Sequence, residues 1–198
     1  LLHVPFDGWT NEALASGAVD AGVEPNMVST LFPRGAIDAI ALHSRLADVE
    51  MVAAFDALPE KPQKIHLAIR TLVLLRLEAA QSNKDAVRRA LTTLALPMHS
   101  RISAKLLYET VDSMWRAVGQ TDTGFSFYTR RATLAAVYSA TLLAWLADNS
   151  GDMAKTAAFL DRRLTNVASI PKATAPLRNV KVAGEQFARA MLKTIGRR

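Results

Sequence analysis

Between Arg131 and Asp148 the chain runs ATLAAVYSATLLAWLA without one charged side chain. A second stretch, IHLAIRTLVLLRL at 65–77, is nearly as apolar, with His66, Arg70 and Arg76 as its ionisable groups. Neither suits a membrane span, which needs roughly 20 predominantly apolar residues, and the first also carries Thr133, Tyr138, Ser139 and Thr141. Segments apolar on more than one face belong at the centre of a helical bundle. Such a bundle can have a solid core, or it can enclose a cavity between its helices.

The rest of the chain is consistent with that frame. Its 198 residues allow one ordinary domain, half of them are hydrophobic, and Ala and Leu, which enter helices at little cost, dominate. No alternating run of useful length predicts a sheet. Turn signals divide the chain into about nine helical segments. Thr10 caps one that runs to about Ala21, stopped by Gly22, and Pro25 opens a short one to Leu31. A longer helix follows Pro33, with Ile37, Ile40, Ala41, Leu42 and Leu46 at helical spacing, before LPEKP at 58–62 breaks the chain. Helices are then expected over Gln63–Ala80, Lys84–Leu96, Arg101–Val118, Ser126–Asn149, Asp152–Ser169 and about Leu177–Ile195. The first residue is Leu1 rather than Met, so further residues are expected upstream.

Catalytic chemistry finds little support. There is no cysteine, hence no disulfide or thiolate, and His3, His43, His66 and His99 are scattered. No Glu-x-x-His pair, zinc spacing, phosphate loop or dinucleotide fingerprint is present, so no metal, cofactor or catalytic residue is assigned. Asp112, Asp148 and Asp161 read most simply as solvated, capping or ion-paired. A non-enzymatic protein is the expectation.

Charge separates the two ends of the chain. The first 33 residues hold Asp7, Glu12, Asp20 and Glu24 and no Lys or Arg, while the remainder has 24 basic against 14 acidic residues. Residues 10–41 have helix–turn–helix proportions and resemble the N-terminal domain of TetR-type regulators, with an A-G-V turn and an F-P segment. DNA affinity, however, comes largely from Lys and Arg neutralising phosphates. The segment EPNMVSTLF, where a recognition helix would lie, offers Asn26 and no cation. The shape of the module is expected to survive without its DNA function, and no nucleic-acid partner is assigned.

Two further segments suggest surfaces. In NVKVAGEQFARAMLKTIGRR one helical arc collects Val180, Ala183, Phe187, Ala190, Met191, Leu192 and Ile195, and the other collects Lys181, Glu185, Arg189, Lys193 and Arg197. Such a helix can lie in a membrane interface, through Lys181, Phe187, Arg189, Met191, Leu192, Lys193 and Ile195, or dock on its own bundle or a second subunit. Met114, Trp115, Phe125, Phe127 and Tyr128 flank a Gly-containing loop, which means local packing or, if exposed, an interaction patch.

HVPFDGWT, LFPRGAIDAIALHS with ADVEM, VDSMWRAVG…FSFYTRRATLAAVYSATLLAWLADNS and TAAFLDRRLTNV together resemble the ubiquinone-biosynthesis accessory lipid-binding proteins, the ninth member of the Coq set. The resemblance runs from His3 to about Val167. It implies an all-α, TetR-like bundle with a degenerate helix-turn-helix part over 1–50, a helical lipid-binding domain over 51–170 and an amphipathic helix at 177–196 that serves membrane attachment. It also implies a homodimer with a cavity for an isoprenoid quinone precursor or phospholipid, presented to the di-iron demethoxyubiquinone hydroxylase. By position, the hydroxylase-contacting patch falls on Asp112, Met114, Trp115, Tyr128 and Arg131. Where the family has D-F-N-W-Y-T, this chain has Gly124 for the acid and Phe127 for the tryptophan, so Phe127 keeps a ring and loses the indole donor.

On helix face, the candidate wall of the lipid slot is Leu72, Leu75, Leu107, Val111, Leu134, Val137, Tyr138 and Leu142. The rival reading is a TetR-type transcriptional regulator with an apolar effector pocket. The Ala-rich, Cys-free composition points to a bacterial cytoplasm, peripheral on the inner membrane, with the mitochondrial matrix side as the alternative.

Overall fold

A computed structural model describes residues 1–120 and 125–166, the side chains of 125 and 126 excepted. The expectations for Gly124, for the Phe125 side chain and for the segment 177–196, including Lys181, Phe187, Arg189, Met191, Leu192, Lys193 and Ile195, lie outside the described residues. Every regular element described is helical: α1 (Val4–Asp7), α2 (Asn11–Asp20), α3 (Val28–Leu31), α4 (Ala36–Asp56), α5 (Ile65–Ala79), α6 (Lys84–Leu94), α7 (Ser100–Ala117) and α8 (Phe125–Ala147). A further helical run occupies 154–166. Leu1–Leu160 forms one compact unit and Asp161–Arg198 a second, of which 161–166 is described and helical. The boundary expected near residue 50 falls inside α4.

Local chemistry sets the helix ends. Thr10 is extended and its side-chain oxygen accepts from the Ala13 amide at 3.1 Å, a cap for α2. Gly22, at φ 68°, closes the same helix, with Val23 N bonded to Ala18 O at 2.8 Å and Gly22 N to Val19 O at 3.0 Å. That paired pattern satisfies carbonyls the helix would otherwise leave open, and it needs the left-handed residue glycine supplies. Gly35 ahead of α4 is more constrained still, because at φ 64° a Cβ there would come 2.5 Å from Asn11 Oδ1.

The core of the first unit is made by α4, α5, α7 and α8. Ile40, Ala41, Met51 and Phe55 of α4 meet Ile69, Leu72, Val73 and Leu77 of α5, with Leu106, Val111 and Met114 of α7 and Leu134, Val137, Tyr138 and Trp145 of α8. The two apolar segments are therefore central, as their composition predicts, but neither is buried all round. Leu143 is 63% exposed, and Ile65 and Leu67 also reach solvent. On α4, Leu42 and Leu46, grouped by helical spacing with Ile37, Ile40 and Ala41, are exposed together with Val49. Leu42, Leu46 and Val49 recur at helical spacing and form an uncovered stripe on α4.

The amphipathic α6 packs against this group and buries Ala86 and Ala90. The N-terminal segment ties it down: Trp9 Nε1 donates to Ala86 O at 2.9 Å and Arg89 Nη2 to Pro5 O at 2.8 Å. On its other side, Arg88 Nη2 donates to Leu146 O at 3.1 Å and the Lys84 ammonium reaches Asp148 O.

Candidate functional site

Five helices, α4 to α8, surround a partly enclosed cavity of about 160 Å³. Its apolar wall includes Ile40, Leu77, Leu106, Leu107, Leu142 and Trp145, and α6 closes it with Val87, Leu91 and Leu94. Of the residues expected to wall a lipid slot, Leu107, Tyr138 and Leu142 do line it. Leu72, Val111, Leu134 and Val137 are instead buried in the core outside the cavity, and Leu75 is half-buried and also outside it. Helix face alone could not separate these two groups, because residues on one face at different heights meet different neighbours.

Polar groups line part of the cavity. Arg76 is the chief of them, its side chain 11% exposed. Its Nε donates to Asp48 Oδ1 at 2.7 Å, and its Nη2 to Ser44 O at 3.1 Å and to Ser44 Oγ at 3.2 Å. Thr110 Oγ1 in turn donates to the other Asp48 oxygen, Oδ2, at 3.0 Å. Tyr138 lies with its ring centroid 5.8 Å from the Arg76 guanidinium carbon. Burial pushes the Asp48 carboxyl up against the opposing pull of Arg76, and pushes the Tyr138 phenol up as well, so Tyr138 stays protonated. His43, also in the wall, is driven down by burial and by Arg76, which favours its neutral imidazole.

Sequence reasoning missed this polar group. The available signal was Arg76 itself, a cation set into LVLLRL where every neighbour is apolar. A charge in such a run must be paired once the run is buried, and Asp48 in the preceding long helix was a candidate partner.

The second feature lies where α7 meets the start of α8. Arg131 donates to Asp112 Oδ1 from Nε at 2.8 Å and lies 2.7 Å from it through Nη2, while Arg116 reaches Asp112 Oδ2 at 2.7 Å. The Arg131 guanidinium also sits 3.4 Å from the centroid of the Phe127 ring, and Phe127 meets Tyr128 edge-on. Of the residues expected to contact a partner, Tyr128 is 69% exposed. Trp115 and Phe127 are half-buried, and the Trp115 indole nitrogen is buried with no hydrogen-bond partner among the described residues. Met114, Asp112 and Arg131 are buried. Met114 thus offers no surface, because it falls on the inner face of α7, and the Asp112–Arg131 pair lies against the Phe127 ring, which in turn meets Tyr128.

Among the described residues no group of three or more His, Asp or Glu side chains is placed to hold a metal ion, and no helix is long and apolar enough to cross a membrane.

Comparison with known proteins bears on both features. A family model described as COQ9 matches residues 100–171, from the start of α7 onward. The chain is 31% identical over 201 residues to the human (Homo sapiens) ubiquinone biosynthesis protein COQ9, mitochondrial, covering 97% of this chain and 61% of the human protein. The Rattus norvegicus protein of the same name is 32% identical over 200 residues, with 97% of this chain and 62% of the rat protein covered. The Schizosaccharomyces pombe protein coq9, mitochondrial, is 29% identical over 176 residues, with 86% of this chain and 67% of the yeast protein covered. The chain thus spans about three-fifths of the length of its mammalian relatives.

Proposed function

We propose, for a chain that carries a COQ9 domain and is related over nearly its whole length to COQ9 proteins, a non-enzymatic role in ubiquinone biosynthesis: binding an isoprenoid quinone precursor between α4 and α8 and presenting it to the demethoxyubiquinone hydroxylase. The observation that carries this reading is the cavity of about 160 Å³ walled by Leu77, Leu107, Leu142 and Trp145. The physical need is clear, since exposing a polyprenyl chain to water costs about 0.8 kcal/mol per CH2. A bundle that shields the lipid lowers that cost along its route to a soluble active site. As it stands the cavity has room for a ring-sized group, so a longer chain requires its walls to part.

Tyr128 is the residue best exposed to meet the hydroxylase, with Trp115 and Phe127 behind it. The sequence of 180–195 supports attachment to the bilayer surface, and the homodimer implied by the resemblance completes the proposal. The relatives are mitochondrial by name, which supports the matrix face of the inner membrane; in a bacterium the equivalent position is the cytoplasmic face. A transcriptional role is disfavoured by the absence of Lys and Arg from residues 1–33 and by the brevity of α3.

Native mass spectrometry of the full chain purified gently from cells tests the lipid claim. A co-purifying quinone or phospholipid is expected, and protein free of lipid under every gentle condition would sink it. For the partner, Tyr128→Ala should weaken capture of the hydroxylase about tenfold or more while leaving thermal unfolding unchanged. Undiminished capture would remove Tyr128 from the docking surface.

A further inference from the structure

The turn that joins α6 to α7 is apolar and exposed. Ala95, Leu96, Pro97 and Met98 follow one another in the sequence and all reach solvent, Leu96 at 48% and Met98 at 80%. Pro97 shapes the turn, since it restricts Leu96 to extended backbone and opens a single helical turn over Pro97–His99. The backbone there asks little of water. Ala95 N donates to Leu91 O at 2.9 Å, Leu96 N to Thr93 O at 3.3 Å and His99 N to Leu96 O at 2.9 Å. Pro97 has no amide proton to satisfy.

Charge around the turn is of one sign. No Asp or Glu stands between Asp85 and Glu109, an interval that holds Arg88, Arg89, Arg101 and Lys105. Arg88 is engaged by Asp85 and Leu146 O, and Arg89 by Pro5 O. Arg101 and Lys105 are exposed one helical turn apart on α7, and the exposed Tyr108 continues the same face. Glu109, the next acid in the sequence, lies 3.8 Å from Lys105 and is held at 3.0 Å by Arg45. On the other flank, Arg34 shares a hollow with Thr93 and His99 and is matched by Asp38.

We propose that the α6–α7 turn is a contact site for an anionic bilayer surface, with Leu96 and Met98 entering the headgroup–acyl boundary and Arg101 and Lys105 meeting lipid phosphates. A bilayer offers negative charge with hydrocarbon directly beneath it, which suits an apolar tip beside two cations, and Tyr108 fits the interface between the layers. Duplex DNA offers the charge without the hydrocarbon. Internally bonded amides lower the cost of bringing this backbone to an apolar layer. The contact adds to the attachment proposed for 180–195, and its purpose rests on the lipid-binding reading above. α6 and α7 wall the cavity through Leu91, Leu94, Leu106 and Leu107. A bilayer held at their turn therefore lies beside the helices that would enclose the lipid.

The chain has no cysteine, so Met98→Cys in the full chain takes a single environment-sensitive dye. Its emission should shift to shorter wavelength on vesicles of phosphatidylcholine with phosphatidylglycerol, and much less on phosphatidylcholine alone. Thr30→Cys, an exposed site on α3, should show no shift. Arg101→Gln with Lys105→Gln should weaken vesicle binding about tenfold, roughly fivefold for each cation near an anionic surface, and leave thermal unfolding unchanged. Vesicle binding with no shift at residue 98 overturns the turn contact and leaves attachment through 180–195 standing. An equal shift on both vesicle types, or binding unmoved by the double substitution, overturns the charge complementarity on which the site rests. A shift that grows with protein concentration in the absence of vesicles assigns the turn to contact between copies and overturns the proposal. Each of these outcomes is separate from the co-purification of a lipid, which tests the cavity.

Discussion

Among the described residues, two buried Arg–Asp pairs, Arg76 with Asp48 and Arg131 with Asp112, differ in how the arginine is engaged. Arg131 is engaged through Nε and Nη2 by Asp112, through a longer Nη1 contact of 3.4 Å by the Phe127 carbonyl, and by the Phe127 ring beneath its plane. Its aspartate has a second cation, Arg116. Arg76 is engaged by Asp48, Ser44 and Thr110, and the cavity lies alongside. The same pairing therefore does two things. At the α7–α8 end it packs against the Phe127 ring; at the centre of the bundle it lines the cavity.

The comparison is broken or sharpened most directly by removing each arginine. Arg76→Met leaves Asp48 buried with Thr110 as its remaining partner, and should destabilise by about 4–5 kcal/mol, the upper part of the range for an orphaned buried charge. Arg131→Met leaves Asp112 with Arg116 and should cost less, about 3 kcal/mol. Urea unfolding of both variants measures the order, and a larger loss at Arg131 would contradict the asymmetry. A smaller effect is expected at Asp148. Its two oxygens accept from Ser150 and from the amide and hydroxyl of Thr156, contacts that hold the carboxyl well below the usual range. A depressed carboxylate stabilises the fold above its unfolded value of 3.8 and loses that contribution as pH falls further. Asp148→Ala should lower the melting temperature by a few degrees at neutral pH, and the gap from wild type should close in strong acid. The smallest effect belongs to His43, lowered by burial and by Arg76. The unfolded chain takes up its proton first, so stability should decline as pH drops below the ordinary 6.5. His43→Gln should flatten that part of the stability profile; an unchanged slope would mean the decline has another source.

Much of the helical layout was legible beforehand. Thr10 and Gly22 bracket α2 as capping chemistry requires, Pro25 opens the short segment, and LPEKP separates α4 from α5. The four-residue α1 escaped notice because so short a helix carries no periodicity. The candidate site was legible in part. Leu107, Tyr138 and Leu142 line the cavity, whereas Leu72 and Val111 on comparable faces fill the solid core, since the period of a helix gives an angle around its axis and not a height along a neighbour. The expected partner patch divided for a related reason. Tyr128 is exposed while Met114, on the inner turn of α7, is not.

Composition and periodicity by themselves determined that this chain folds as helices, that 65–77 and 132–147 lie at the centre, and that its first 33 residues are acidic. These follow from local preferences and from the cost of leaving apolar surface in water. Tertiary structure alone decided that Leu42, Leu46 and Leu143 face outward, that α6 closes a cavity, and that Arg76 lines it with the leucines. Those outcomes depend on which helix meets which at each level, a relation between distant segments that no local pattern encodes.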